Sequence, residues 1–140
     1  MATSVYLSNP VVTINSVDLT DQCTSAVVNY VYEQLETTAF GDTARKFGAA
    51  TSISLENNSI EVELYQSYAA GQTEVTIFGL VGITTTVVVG PASGAASATN
   101  PIFTLSGCYL ESHSPINASL GELSSISLVF AGGNLTKAVA

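Results

Sequence analysis

Alternation of apolar and polar side chains at every second residue constrains the fold of this chain more than any other feature. In Ile60–Tyr65, the apolar residues form one face and Glu61, Glu63 and the closing Tyr form the other. This pattern is typical of an antiparallel strand with one face on the core. Thr24–Glu36 also alternates, but with apolar residues on both faces. It predicts a long strand that packs on a core at one side and on a neighbour at the other.

Other stretches predict a single domain over residues 1–140 with one helix. Thr73 can cap a short helix that ends at Gly82, although the β-branched residues inside it leave a strand open as the alternative. Asn15-Ser16 predicts a tight hairpin turn. Further strands are predicted at Ser4–Leu7, Val11–Ile14, Thr51–Leu55, Ile83–Val89, Ile102–Ser112 and Gly121–Phe130. Residues 131–140 are expected to form a flexible or docking tail.

Charge is scarce and one-sided. Charged residues make up 10% of the chain, against roughly 25% in a typical soluble domain. Either a neutral polar surface or burial of surface between subunits explains this scarcity, and composition does not separate the two. Eleven acidic and three basic residues give a net charge of −8. Because a nucleic-acid-binding groove needs clustered Lys and Arg, tight DNA binding is excluded.

No residue pattern indicates an enzyme, a metal site or a cofactor. His113 is the single histidine, and no Gly-x-Ser-x-Gly motif accompanies it. Glu61 and Glu63 lie about 7 Å apart on one strand face, but the chain has no Trp to stack a sugar beside such a pair. The glycines of Gly90–Pro101 lack the Lys and the spacing of a phosphate-binding loop. We therefore expect a non-catalytic protein without cofactors.

The two cysteines and the hydropathy pattern give no sign of export. Cys23 and Cys108 are far apart and belong to no Cys-x-x-Cys motif, so two reduced thiols are expected, with a disulfide left open. The N-terminus has no basic residue before its apolar residues, and no run of about 20 apolar residues exists. Neither export nor membrane spanning is expected.

Glu36–Gly48 interrupts the strand pattern and concentrates unusual residues. It contains Arg45 and Lys46, which are two of the three basic residues, together with Phe40 and Phe47. Because the strand pattern stops here, the stretch predicts a loop. One interpretation of its aromatics is that they fold back on the domain's own core while the rest of the loop is solvated.

Several segments in order resemble a major tail protein, the tail-tube protein of long, non-contractile-tailed bacteriophages of the siphophage type. The resemblance runs over roughly residues 14–137. It is carried by Val17–Asp21, Thr38–Arg45, Ser59–Gly71, Ser97–Pro101 and Gly121–Phe130.

The resemblance implies a mainly β fold in which two antiparallel sheets pack as a sandwich or small barrel, with one short helix. It also implies a long inter-strand loop at about residues 37–50 that reaches a neighbouring ring. Six copies would form a ring, and rings would stack into a tube for DNA passage during ejection. The implied partners are copies of the chain itself, the tape-measure, tail-terminator and baseplate or tip proteins. The protein would belong to the virion tail and assemble in the host bacterial cytoplasm, without binding DNA specifically or contacting a membrane.

Within this expectation, two groups of residues receive roles. The candidate interface residues of the loop are Thr38, Phe40, Asp42, Arg45, Lys46 and Phe47. The candidate acids lining the channel are Glu33, Glu61, Glu63 and Glu111, which would repel DNA phosphates. The competing interpretation is a capsid (head) decoration protein or another small phage structural protein.

Overall fold

The computed structural model describes residues 10–48 and 56–139 and contains ten strands and one short α-helix in that part of the chain. The strands are β1 (Val11–Ile14), β2 (Val17–Asp18), β3 (Cys23–Asn29), β4 (Leu35–Glu36), β5 (Phe47–Gly48), β6 (Ser59–Tyr65), β7 (Thr84–Gly90), β8 (Ile102–Leu110), β9 (Ser125–Ala131) and β10 (Asn134–Ala138). The helix α1 spans Thr73–Ile77 and continues as a 3-10 turn over Phe78–Leu80. The strands predicted at Ser4–Leu7 and Thr51–Leu55, and the last two residues of the predicted loop, lie outside the described residues.

Eight strands form one antiparallel sheet, in the order β2-β1-β7-β8-β9-β6-β3, with β10 beside the first half of β8. One edge of β8 pairs with β7, and the other edge pairs first with β10 and then, at Tyr109 and Leu110, with β9. Gly107, at φ +73°, lies at the change of partner, where the register with β7 also shifts. Bulges of this kind bend a sheet, so the single sheet provides both layers around one core. The prediction of a mainly β, antiparallel fold with one short helix is confirmed.

The core is built from the alternating faces that the sequence predicted. On β6 and β9 every second side chain is buried, and the residues between them are exposed or half-buried. Phe130, Leu128 and Ile126 of β9 pair directly with Ile60, Val62 and Leu64 of β6. Core residues from β1, β7 and β8 and from the helical segment complete the same cluster: Val12, Ile14, Ile77, Leu80, Val87, Val89, Leu105, Cys108 and Leu110.

The continuous strand predicted for Thr24–Glu36 is wrong. β3 ends at Asn29, and pairing resumes only as an isolated bridge between Tyr32 and Glu56 and then as β4. The Oδ1 atom of Asn58 accepts the hydrogen bond of the Val31 N–H at 3.0 Å. A side chain thus replaces a main-chain ladder partner, and the regular pairing stops there.

The local predictions for the hairpin and the helix are confirmed, with one correction. Asn15 and Ser16 both have positive φ, as a two-residue hairpin turn requires. The helical segment buries Ile77 and Leu80, and Gly82 follows it at φ +80°. Thr73 is the first helical residue rather than the cap, because its buried hydroxyl bonds to the Gln22 side chain and the Tyr65 carbonyl.

The last strand is shorter than the sequence predicted, and the predicted tail is a strand. The predicted strand Gly121–Phe130 begins only at Ser125, and residues 121–124 belong to a loop. In the predicted tail, β9 ends at Ala131 and β10 pairs with β8, which packs Leu135 against the core. No helix among the described residues has the length and apolar character to cross a membrane.

Candidate functional site: an acidic sheet face and an extended arm

The outward side of β3, β6 and β9 carries acidic groups, and we call it the acidic face. Glu61 is exposed between its cross-strand partners Val27 of β3 and Val129 of β9. Glu63 is exposed between Ser25 and Ser127. The three basic residues of the chain lie elsewhere, at positions 45 and 46 and at 137 in β10. The two carboxylates therefore have no cross-strand basic partner that would neutralise them.

The other two candidate lining acids hold different positions. Glu111 is exposed directly after the end of β8, two residues after the exposed Tyr109. The end of β8 pairs with β9, so Glu111 lies next to the acidic face. Glu33 is exposed in the segment between β3 and β4, away from the regular sheet. The structure thus brings Glu61 and Glu63 together and adds Glu111 at an adjacent strand end, but it separates Glu33.

Residues 30–48 leave the sheet after β3 as an extension that we call the arm. Its outer part is a hairpin in which β4 pairs with β5. Thr37 N–H donates to the Lys46 carbonyl at 2.8 Å, and Thr38 Oγ1 accepts from the Lys46 N–H at 2.8 Å. At the tip, Asp42 Oδ2 accepts from the Ala39 N–H at 2.7 Å. The predicted loop is therefore an ordered hairpin as far as the structure describes it.

The charged residues of the arm are paired within the arm. The Arg45 guanidinium contacts both carboxylate oxygens of Glu36, at 2.7 and 3.2 Å. Lys46 Nζ lies 2.7 Å from Asp42 Oδ1, and this ammonium, helped by the Ala39 N–H, lowers the pKa of the Asp42 carboxyl below its ordinary value. The Arg45 and Lys46 side chains are still 72% and 62% exposed. They remain accessible to a further acidic partner.

The two aromatics of the arm do not join the domain's core. Phe40 is fully exposed at the tip. Phe47 is partly covered by Arg45, whose guanidinium carbon lies 5.3 Å from the ring centroid, a cation–π arrangement. Neither ring belongs to the hydrophobic cluster. In this chain alone, the aromatics therefore do not fold back on the core.

Two buried polar side chains make contacts that were not predicted from the sequence. Asn58 is 1% exposed and ties the base of the arm to the β9–β10 turn by accepting from Val31 and donating to Gly133 at 3.2 Å. His113 is almost fully buried, and its Nε2 lies 2.9 Å from Glu74 Oε2 at the start of α1. Asn58 could have been identified from the sequence, because an Asn there interrupts an alternating pattern. No sequence signal connects His113 with Glu74.

The sheet has an open side next to β3. Within the described residues, β3 pairs only with β6, so its second edge keeps unpaired main-chain groups. An apolar groove of about 980 Å³ opens between β3 and the strands β1, β7, β8 and β10. Ala26 and Val28 line one wall, and Phe103 and Leu135 line the other. A free edge beside a partly filled apolar groove is a surface that association can cover.

Metal ligands and cysteines can be located directly in the structure. The described residues contain no group of three or more His, Cys, Asp or Glu residues that could hold a metal ion. Cys23 and Cys108 are both free thiols, which resolves the question that the sequence left open.

Comparison with known proteins identifies the fold. A scan of family models and a search of curated proteins found no match. Among solved structures, a chain of the native gene transfer agent virion is similar over 97% of this chain and 100% of that chain, with a TM-score of 0.71 and 14% identity. A chain of the sheath-tube complex of an extracellular contractile injection system, PVC, in its extended state is similar over 98% and 93%, with a TM-score of 0.65 and 9% identity. A chain of the tail of the empty gene transfer agent particle, which has C6 symmetry, is similar over 84% and 83%, with a TM-score of 0.54 and 11% identity.

Proposed function

We propose that this chain is the structural subunit of a phage-type tail tube, in which it forms rings that stack around a channel for DNA. The single observation that carries the proposal is a fold shared, over nearly the whole length of both chains, with a chain of the gene transfer agent virion. The acidic face and the arm supply the two surfaces that a tube needs, one for the channel and one for contact between rings.

The free edge of β3 supports association side by side into rings. An exposed sheet edge is satisfied when another copy adds a strand to it, and the apolar groove beside it is covered at the same time. We propose six copies per ring, which agrees with the C6 symmetry of the similar gene transfer agent tail. Six copies at −8 each carry −48 per ring.

The acidic face supports a role as the channel lining. Glu61, Glu63 and Glu111 would point into the channel, with Glu33 near its rim. Carboxylates without basic neighbours repel phosphates, because DNA binding depends on cations that replace the counterions of the backbone. DNA would then pass without adhering to the wall, and the subunit would need no enzymatic activity.

The arm supports contact between rings. Thr38 and Asp42 order its tip, whereas Phe40, Arg45, Lys46 and Phe47 present apolar and basic groups to a neighbour. A large exposed aromatic on an ordered hairpin is well suited to fill a pocket of another subunit, since little conformational entropy is lost on binding.

The remaining expectations of the tail-tube resemblance stay predictions. They are a non-contractile tail, partners among tape-measure, terminator and baseplate or tip proteins, a place in the virion tail and assembly in the host cytoplasm. The fold does not separate the tail types, since one of the similar chains comes from a contractile system.

Electron microscopy in negative stain, with light scattering for mass, tests the proposal. We expect the purified protein to form rings and stacked tubes with a central channel. Deletion of residues 38–47 should leave the β-domain folded by circular dichroism but stop growth at single rings. Discrete monomers or trimers at high concentration would contradict the tube and favour the head-decoration alternative. Normal tubes from the deletion variant would contradict the role of the arm alone.

A further inference from the structure

A second exposed apolar surface lies at the end of the sheet opposite the arm. β9 begins at Ser125, paired with Tyr65, and ends at Ala131, paired with Ser59. The arm leaves the sheet at the Ser59 end, whereas the loop before β9 lies at the Tyr65 end. The six residue steps between them correspond to about 20 Å of strand. We call residues 116–124 the apical loop.

The apical loop is ordered, and its apolar side chains nevertheless point into solvent. Asn117 Nδ2 donates to the Ser125 carbonyl at 2.8 Å, and Glu122 N–H donates to the Ser119 carbonyl at 3.2 Å. Ile116 and Leu123 are 79% and 76% exposed, and Leu120 is fully exposed. Three large aliphatic side chains are therefore exposed within eight residues of one loop, where a partner could cover them.

Charge identifies what fits this patch. Glu122 lies between Leu120 and Leu123, and no basic residue occurs from position 111 to 125. With a net charge of −8, two copies repel each other except where one of them presents its few basic residues. Two of the three basic side chains, Arg45 and Lys46, belong to the arm, and the tip of the arm carries the fully exposed Phe40. Arg45 and Lys46 are paired with Glu36 and Asp42 inside the arm, so the arm is locally neutral while the two basic side chains stay 72% and 62% exposed. Its exposed Phe40 can therefore meet the apolar apical loop without the repulsion that two acidic surfaces would have.

We propose that the apical loop of one copy receives the arm tip of a copy in the adjacent ring, with Phe40 against Leu120 and Leu123 and the basic pair of the arm near Glu122. This pairing rests on the proposed tube and names the receiving surface within it. Because the two surfaces are different and lie at opposite ends of the sheet, the contact is heterologous and repeats without closing. It therefore produces stacking in one direction.

Cysteine cross-linking tests the pairing directly. A Cys23→Ser background removes the more accessible native thiol and keeps the buried Cys108. Phe40→Cys combined with Leu120→Cys, or with Leu123→Cys, should give a ladder of disulfide-linked oligomers under mild oxidation of assembled protein. A mixture of the two single-cysteine proteins should give only dimers that contain one of each. The matched control is Phe40→Cys with Val75→Cys, an exposed apolar residue of α1 outside the loop, which should give no ladder.

A double variant, Leu120→Ser with Leu123→Ser, separates this inference from the proposed function. We expect it to keep the wild-type melting temperature and to form single rings but no tubes, while Val75→Ser forms normal tubes. Suppose that the wild type forms tubes, that the double variant also forms them, and that Phe40→Cys cross-links to neither loop cysteine. The apical loop is then not the receiving surface, while the tube proposal stands. Dimers of the Phe40→Cys protein alone would indicate tip-to-tip contact and overturn the pairing. If the wild type forms neither rings nor tubes, the proposed function itself fails, and the pairing fails with it.

Discussion

The side-chain amide of Asn58 donates a hydrogen bond to the Gly133 carbonyl at 3.2 Å, across 75 residues of sequence. The main-chain carbonyl of Asn58 accepts a hydrogen bond from the Gly132 N–H at 2.9 Å. The side-chain Oδ1 of Asn58 accepts one from the Val31 N–H. One buried residue therefore joins the base of the arm to the turn between β9 and β10. Because the proposed ring contact is made at the far end of the arm, this junction sets the direction in which the tip is presented.

Asn58→Ala should destabilise the protein and misdirect the arm. The change removes the partner of the Val31 N–H and of the Gly133 carbonyl, and the net loss of a hydrogen bond costs about 0.5–1.5 kcal/mol where the groups are only partly buried. We expect a loss of about 1–3 kcal/mol in the free energy of unfolding by urea titration, together with poor stacking. The matched control is Asn57→Ala, because Asn57 is exposed and its main-chain N–H, which donates to the Val31 carbonyl, is unchanged. Equal stability of the two variants would contradict the role of Asn58.

Gly133→Ala should be far more damaging than Gly132→Ala. Both glycines have positive φ, at +84° and +82°, which costs an L-residue about 1–2 kcal/mol. A Cβ at Gly133 would meet the Ser106 carbonyl oxygen, whereas a Cβ at Gly132 meets nothing within 4 Å. We expect losses of about 3–5 kcal/mol for the first and about 1–2 kcal/mol for the second. Thermal unfolding of the pair would measure this, and similar losses would refute the close approach of β8 and the turn.

The ion pair at the arm tip should be lost in acid. Lys46 lowers the pKa of the Asp42 carboxyl, so its stabilisation is present above the ordinary carboxyl pKa of about 3.9 and disappears as the pH falls through the lowered value. Carbon NMR of the Asp42 carboxyl should report a titration below this ordinary value. Lys46→Gln should raise the pKa towards normal, whereas Lys46→Arg should keep it low. An unchanged titration in Lys46→Gln would show that the ammonium is not the main cause.

The two thiols should react slowly, and to different degrees. Burial raises the pKa of both Cys23 and Cys108, which lowers the thiolate fraction at neutral pH. Cys108 also donates to the Thr85 carbonyl at 3.2 Å. We expect a disulfide reagent at pH 8 to modify Cys23 slowly and Cys108 only at the rate of unfolding. Fast reaction of Cys108 in a Cys23→Ser protein would contradict its burial.

Because the folded state holds these thiol protons to higher pH than the unfolded state, stability should fall as the pH rises above the unfolded thiol pKa of about 8.5. Cys108→Ala should make this alkaline loss of stability smaller, as measured by melting temperatures between pH 7 and 10. An identical alkaline profile in the variant would rule out Cys108 as a source of the loss.

Reversing one charge on the acidic face should make assembled tubes retain DNA. Glu61→Lys places an ammonium on the face proposed to line the channel, and DNA affinity should then fall steeply with salt. Asp21→Lys makes the same change of net charge at an exposed position in the 3-10 turn after β2 and should retain no DNA. Neither substitution should change stability by more than about 0.5 kcal/mol, since both sites are exposed. Equal DNA retention by the two variants, measured by co-sedimentation at low and high salt, would show that Glu61 does not face the channel.

The agreement between sequence and structure is closest where the cause is local. The alternation of Ile60–Tyr65 decides which side chains a strand can bury, so the exposure of Glu61 and Glu63 followed from the sequence. Asn15-Ser16 can adopt the positive φ of a tight turn without help from the rest of the chain. The short helix was equally local, because Ile77 and Leu80 are three positions apart.

The disagreements have causes that are distant in sequence. The strand predicted over Thr24–Glu36 stops because Asn58 takes the hydrogen bond of the Val31 N–H, and the partner of His113 is Glu74 of the helix. In the same way, β10 becomes a strand because the part of β8 before Gly107 offers it an edge. None of these partners can be read from a local pattern.

By itself, the sequence determined the β class, the alternating core faces, the tight hairpin and the excess of acidic charge, because each depends on neighbouring residues or on composition alone. Only the tertiary structure decided where the long strand ends, that the arm pairs its own charges while leaving Phe40 in solvent, and that the arm and the apical loop lie at opposite ends of the sheet. Hydrogen bonds and strand edges between residues far apart in the chain produce these features, and such partners exist only after the sheet has formed.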